Sequence, residues 1–200
     1  MAQISLYYRT QLETKVSLLP EQIDGNMDDH LLKNLKAKIE GKTNENGIVL
    51  KINKLIDYSS GMIDKANFMG ITVFPVKYEC FICSPTKDLE MICVLENIVK
   101  GFLIAKNGPV VVVIQYNNID TKKFEISDKN ILFSKTKTPV KKGDHLKAAI
   151  ISINNNLGEK NIVTMCKLLN LATKEEIKLF EEDQMMATNG NIDDDNNDFI

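Results

Sequence analysis

Apolar residues at the start of the chain fall on even positions: Ile4, Leu6, Tyr8, Leu12, Val16 and Leu18. That period of two predicts a long half-buried strand, or two strands in series, which Leu19-Pro20 ends. Residues 24–29 supply cap candidates and first-turn carboxylates. Leu31, Leu32, Leu35 and Ile39 then follow helical spacing, with Lys33, Lys36 and Lys38 facing out and Gly41 placed as the C-terminal cap. Asn46-Gly47 reads as a turn. Even-position apolar residues return at Ile48, Leu50, Ile52 and Ile56. After a loop around 58–61, Phe74, Val76, Tyr78, Cys80 and Ile82 line one face of a further strand that Pro85 closes. Residues 1–86 are thus expected to form an α+β module with its helix on one sheet face.

The second half has a shorter rhythm. Strands are expected at 89–96, 102–105 and 110–115, the last a nearly continuous apolar run after the tight turn Asn107-Gly108-Pro109. A polar stretch, 117–139, holds a short ribbon at 124–126 and 131–133. Lys141-Lys142-Gly143-Asp144 leads into a strand at 146–153, and 161–166 is the last strand. Five short strands with Gly-bearing turns predict a small barrel of the OB type over 87–172. Residues 173–200 form the remainder: a short helix over 173–184, then a polar, Asn/Asp-rich acidic tail expected to be disordered.

Composition adds a charge split. The 200 residues carry a formal charge of −2, but from Thr173 onward nine carboxylates face two lysines. The body before it is +5, and twelve lysines against eight acids make 88–172 +4. A mildly basic barrel with an acidic tail suits a polyanion partner. The bland alternative is a solvated lysine surface. A single arginine, Arg9, beside abundant Asn, Lys and Ile reads as the codon bias of an AT-rich genome. No apolar run reaches the roughly 20 residues that span a bilayer, and the N-terminus lacks the pattern of a secretory signal. Four cysteines without that signal point to free thiols in a reducing compartment, a soluble intracellular location.

Catalytic chemistry finds few parts. His30 and His145 are the only histidines. Cys80 and Cys83 form a C-x-x-C, but within a strand that spacing sends the sulfurs to opposite faces, where they cannot share one metal. The segment 191–197 resembles the start of a calcium loop, yet lacks its sixth-position glycine and twelfth-position glutamate. No phosphate-binding loop, nucleophile elbow or H-E-x-x-H is present, so no catalytic residue, metal or cofactor is expected.

The run Lys100-Gly101-Phe102-Leu103-Ile104, then Gly108-Pro109, a valine run and Lys141-Lys142-Gly143-Asp144 resembles an S1 domain. That resemblance implies single-stranded RNA binding, with Phe102 as a stacking platform, Tyr116 as the neighbouring aromatic, and Lys100, Lys106, Lys141 and Lys142 meeting phosphates. Gln115 stands where S1 domains typically carry a histidine on the third strand. A packing role for Phe102 stays open.

With the opening strand and its Leu-Pro end, the Gly41 junction, Gly47-Ile48-Val49-Leu50 and Val76-Lys77-Tyr78, the order of features over about 85% of the chain resembles the subunit-seven stalk family of multisubunit DNA-directed RNA polymerases, with large-DNA-virus members. The resemblance implies an N-terminal RNP-like tip module that docks on the polymerase core, at the clamp region of the largest subunit and the small assembly subunit. It also implies an S1 barrel that contacts nascent RNA, and no catalysis by the subunit itself. Met62, Ile63, Phe68 and Met69 are candidate docking residues. A stalk partner resembling subunit four is left open. A viral member would belong to virion and host cytoplasm, a cellular one to the nucleus. The rival reading is a free-standing S1 protein of translation or RNA decay.

Overall fold

The computed structural model describes residues 5–63, 69–126, 131–134 and 137–189. Its first part is an antiparallel sheet. Strand β1 (Tyr7–Leu18) pairs with β5 (Thr72–Cys83) along its whole length, from Tyr7 opposite Cys83 to Leu18 opposite Thr72. On the far side of β5 lies β3 (Gly47–Tyr58), with the two-residue β2 (Thr43–Asn44) at its edge. Another short strand, β4 (Met62–Ile63), adds to the start of β5.

Helix α1 (Met27–Ile39) covers one face of this sheet. Its Leu31 and Leu35 are fully buried against Val16, Leu18, Phe74, Val76, Tyr78, Cys80 and Ile82. Each such leucine contributes about 1.5–3 kcal/mol of apolar burial. The helix stops where Gly41 takes φ +71° and its N–H turns to the Val49 carbonyl at 2.8 Å.

Two parts of the alternation depart from expectation. In β3, Val49 is buried and Ile56 is exposed. Register shifts at Val49/Lys51, Ile52/Lys54 and Leu55/Asp57 explain this, because each inserted residue reverses which parity faces the helix. In β1, Tyr7 is buried and Tyr8 exposed, although Tyr8 shares the even parity. There the second domain core covers the face that α1 does not reach.

That second core is a closed barrel. Its strands β6 (Glu90–Val99), β7 (Phe102–Asn107), β8 (Val110–Gln115), β12 (His145–Asn154) and β13 (Ile162–Leu171) are ordered β12-β13-β8-β7-β6 and back to β12. All neighbours are antiparallel except β8 and β13, which run parallel. Between β8 and β12 the chain forms a three-stranded ribbon, β9 (Phe124–Ile126), β10 (Ile131–Phe133) and β11 (Thr138–Pro139). Phe124, Ile131 and Val140 of this insertion are buried with the barrel core. Strand β13 runs past Cys166 because Leu168 continues the inward parity of Ile162, Thr164 and Cys166, and pairing with β12 resumes at Asn170 after a bulge at Leu169.

The C-x-x-C divides as its spacing predicts: Cys80 lies in the tip core and Cys83 in the barrel core, both as free thiols. Burial pushes Cys80 up to about 11 and Cys83 up to about 12. Beyond the barrel, α2 spans Lys174–Asn189, longer than the sequence pattern indicates. Thr173 and Glu176 start it with a reciprocal capping box: the Thr173 N–H donates to Glu176 Oε2 at 2.8 Å, and the Glu176 N–H donates to Thr173 Oγ1 at 3.3 Å. No helix among the described residues is long and apolar enough to cross a membrane.

Candidate functional site

Along β7 the side chains alternate strictly. Leu103, Ala105 and Asn107 point into the barrel, so Phe102, Ile104 and Lys106 point out. Phe102 is 41% exposed and stands directly opposite Gln115 of β8. Lys100-Gly101 forms the two-residue turn between β6 and β7, which Gly101 permits with φ +92°. Tyr116 follows Gln115 in a single 3-10 turn; its N–H donates to the Gly101 carbonyl at 3.1 Å and its hydroxyl to the Val99 carbonyl at 3.4 Å. Lys100, Phe102, Gln115 and Tyr116 therefore meet on one rim of the barrel.

The other lysines lie elsewhere. Lys106 sits at the far end of β7, opposite Val94 and Val111, and forms an ion pair with Glu96 at 3.0 Å. Lys141 and Lys142 are exposed in the turn before β12. That turn is held to β6 by the Gly143 N–H on the Leu95 carbonyl at 2.8 Å and the Leu95 N–H on the Asp144 carbonyl at 2.9 Å. Asp144 also accepts the Lys141 N–H at 2.7 Å. The pair thus lies beside the middle of β6, on the side away from β7.

Sequence reasoning missed the outer apolar face beside this rim. Ile104, Val113 and Met165 are cross-strand neighbours on β7, β8 and β13, and Val111 and Val163 form the next row. The valine run was legible only as a buried strand, since periodicity does not reveal that every second valine faces outward.

A second exposed surface lies at the end of the tip sheet remote from the barrel. Thr72 pairs with Leu18 on one side and Ile63 on the other. Around it Met62, Ile63 and Met69 are 55%, 60% and 76% exposed, and Leu19 and Ile23 are exposed as well. Phe68 lies outside the described residues. Leu19 and Ile23 escaped the sequence reading because they follow the strand's Leu-Pro end and carry no periodicity. Among the described residues no cluster of His, Cys, Asp or Glu could hold a metal ion.

An α+β module bearing a closed OB-type barrel, with an apolar end on the module and an aromatic and lysine-bearing rim on the barrel, defines the class of this protein. No protein-family profile matches the chain. It is 54% identical over 194 residues to a protein of Acanthamoeba polyphaga mimivirus named "Putative DNA-directed RNA polymerase subunit L376", covering 97% of this chain and 98% of that one. It is 26% identical over 125 residues to DNA-directed RNA polymerase II subunit RPB7 of Glycine max, covering 62% and 70% of the two chains. Against DNA-directed RNA polymerase II subunit 7 of Arabidopsis thaliana the identity is 28% over 127 residues, with the same coverages of 62% and 70%. The chain belongs to the subunit-seven family of DNA-directed RNA polymerase subunits.

Proposed function

We propose that this chain is a non-catalytic stalk subunit that docks on the polymerase core through residues 1–86 and contacts nascent single-stranded RNA through the barrel of residues 87–172. The observation that carries the reading is the placement of two unlike surfaces at opposite ends of the molecule. The apolar end around Met62, Ile63 and Met69 gains by burial in a partner groove. The rim around Phe102 offers an exposed aromatic face with Lys100 beside it, a combination that suits a single strand. The docking partners on this reading are the clamp region of the largest subunit and the small assembly subunit, with a subunit-four-like chain as a further stalk partner. The relationship to a mimivirus protein favours a role in virion and host cytoplasm over a nuclear one.

The test is affinity purification of the tagged full chain from its native context. Large polymerase subunits are expected to co-purify. The triple variant Met62→Ser, Ile63→Ser, Met69→Ser is expected to lose them while its circular dichroism and melting temperature stay near wild type. Retention of the core subunits by the triple variant overturns the docking surface. Ribosomal or RNA-decay chains in place of polymerase overturn the reading itself, in favour of a free-standing S1 protein.

A further inference from the structure

The tip shares an apolar core with the barrel through Leu6, Tyr7, Phe81 and Cys83, and polar contacts add to it at opposite edges of the tip sheet, whose order is β1-β5-β3-β2. At the β2 edge, Thr43 meets the loop between β12 and β13. Its N–H and its hydroxyl both donate to the Glu159 carbonyl, at 2.8 Å and 2.7 Å, and the Gly158 N–H donates back to the Thr43 carbonyl at 2.9 Å. The Asn155 side-chain amide donates to the Asn44 carbonyl at 3.1 Å. At the β1 edge a direct contact is joined by a third element. The Tyr7 hydroxyl donates to Asn107 Oδ1 at 2.8 Å, and Asn107 Nδ2 donates to the Ile92 carbonyl at 2.7 Å. Gln184 of α2 closes the ring: its Nε2 reaches Tyr7 Oη at 3.0 Å and Asn107 Oδ1 at 2.7 Å. Ser5 Oγ donates to Asp183 Oδ2 at 3.2 Å beside it.

This ring is built in. Asn107 is buried, and Tyr7 lies flat against Phe81 with ring centroids 6.2 Å apart. Gly108 has φ +54°, and a Cβ there would stand 2.4 Å from Tyr7 Oη, so only glycine admits the tyrosine. The opposite end of α2 is fixed to the barrel. Lys147 bridges Glu176 at 2.9 Å and Glu90 at 3.0 Å, and Phe180 packs edge-on against His145 at 5.6 Å.

We propose that α2 is a strap that fixes the angle between tip and barrel, with Gln184 as the residue that joins β1, β7 and the helix. The β2-edge contacts, the shared core and the Tyr7–Asn107 bond hold the two units together; Gln184 and Asp183 tie α2 across the β1 edge and narrow the remaining rotation. The direction in which the barrel rim points, relative to the apolar end of the tip, is then set by a helix that belongs to neither unit. The functional value of that angle rests on the stalk reading; the geometric claim does not.

The experiment is pulsed electron–electron resonance on the isolated full chain, with spin labels on Lys33→Cys of α1 and Lys142→Cys before β12. Both positions are exposed, whereas the four native cysteines are buried with raised pKa values and stay unlabelled. The wild-type background is expected to give one narrow distance distribution. Asp183→Ala with Gln184→Ala is expected to broaden or shift it, with helix and strand content retained. Lys178→Ala, on the exposed side of α2, is expected to leave it narrow. A chain ending at residue 173 is expected to broaden it further; should that chain fail to fold, the point variants decide. A distribution of unchanged mean and width in the Asp183/Gln184 variant overturns the strap. Because the distance is read without polymerase, failure of the docking reading and failure of the strap are separate results.

Discussion

Gly47 stands at the mouth of the β2–β3 hairpin with φ +131°, and a Cβ there would lie 2.3 Å from the Cys83 carbonyl oxygen. No rotamer relieves a clash with backbone. Gly47→Ala is therefore expected to cost roughly 3 kcal/mol, from a disfavoured φ and displaced β5 backbone together. Urea unfolding measures this, and a loss within experimental error of zero contradicts the close approach. Gly101 gives the contrast: its φ is +92°, but nothing stands within 4 Å of the added Cβ. Asn46-Gly47 is readable as a turn from its dipeptide alone. The demand for glycine on steric grounds appears only once Ile48 pairs with Cys83 across the sheet. Cys80 and Cys83 are the opposite case, since strand parity alone separates them.

Among the elements, α1 and the first half of β5 follow their patterns closely, because one face of each is buried and the other is not; beyond Cys80 the barrel core covers the second face of β5 and buries Phe81 and Cys83 as well. In β3 the pattern fails where bulges intervene, and bulges leave no mark in hydrophobic parity. Helix α2 carries a pH signature. Partial burial opposes the Glu176 carboxylate, but the Thr173 backbone N–H, Lys147 and the Thr173 hydroxyl outweigh it and hold its pKa below the usual glutamate value. A depressed folded pKa contributes stability above the unfolded value, and this is lost as pH falls through the folded one. Asp183 runs the other way. Burial raises it, Ser5 opposes and Glu182 adds, so its contribution falls as pH rises through its folded value. Glu176→Gln is accordingly expected to flatten the acid side of the stability profile, and Asp183→Asn to steepen it. Melting temperatures across the carboxylate range check both. A Glu176→Gln profile that parallels wild type contradicts the assigned sign.

For the molecule as a whole, the stalk reading expects weak RNA binding without sequence preference and with strong salt dependence. Each phosphate contact that neutralises a charge is expected to add about 0.7 to the log–log salt slope for a single strand. Lys100→Ala is expected to lower that slope, and Lys106→Ala to lower it less, because Glu96 already pairs with Lys106. Phe102→Ala is expected to weaken binding by roughly 1–3 kcal/mol if a base stacks on its exposed face. Oligonucleotide titrations at several salt concentrations measure all three. A flat salt dependence, or an unfolded Phe102→Ala, moves the barrel rim from RNA contact to packing.

Local order along the chain determined the strand-helix-strand opening, the five-stranded barrel, the ribbon at 124–126 and 131–133, and the separation of the two C-x-x-C thiols. These are short-range matters: period, parity and turn chemistry act over a few residues, so a sequence displays them directly. Tertiary structure alone decided which valines face outward, that Tyr7 rather than Tyr8 is buried, and that Leu19 and Ile23 join Met62 and Ile63 at one end. It also decided that Gln184 meets Tyr7 and Asn107, residues 177 and 77 positions away in the chain. Such contacts depend on how two cores and a helix pack together. No periodicity encodes them, because the partner that buries a side chain or satisfies an amide comes from a remote part of the chain.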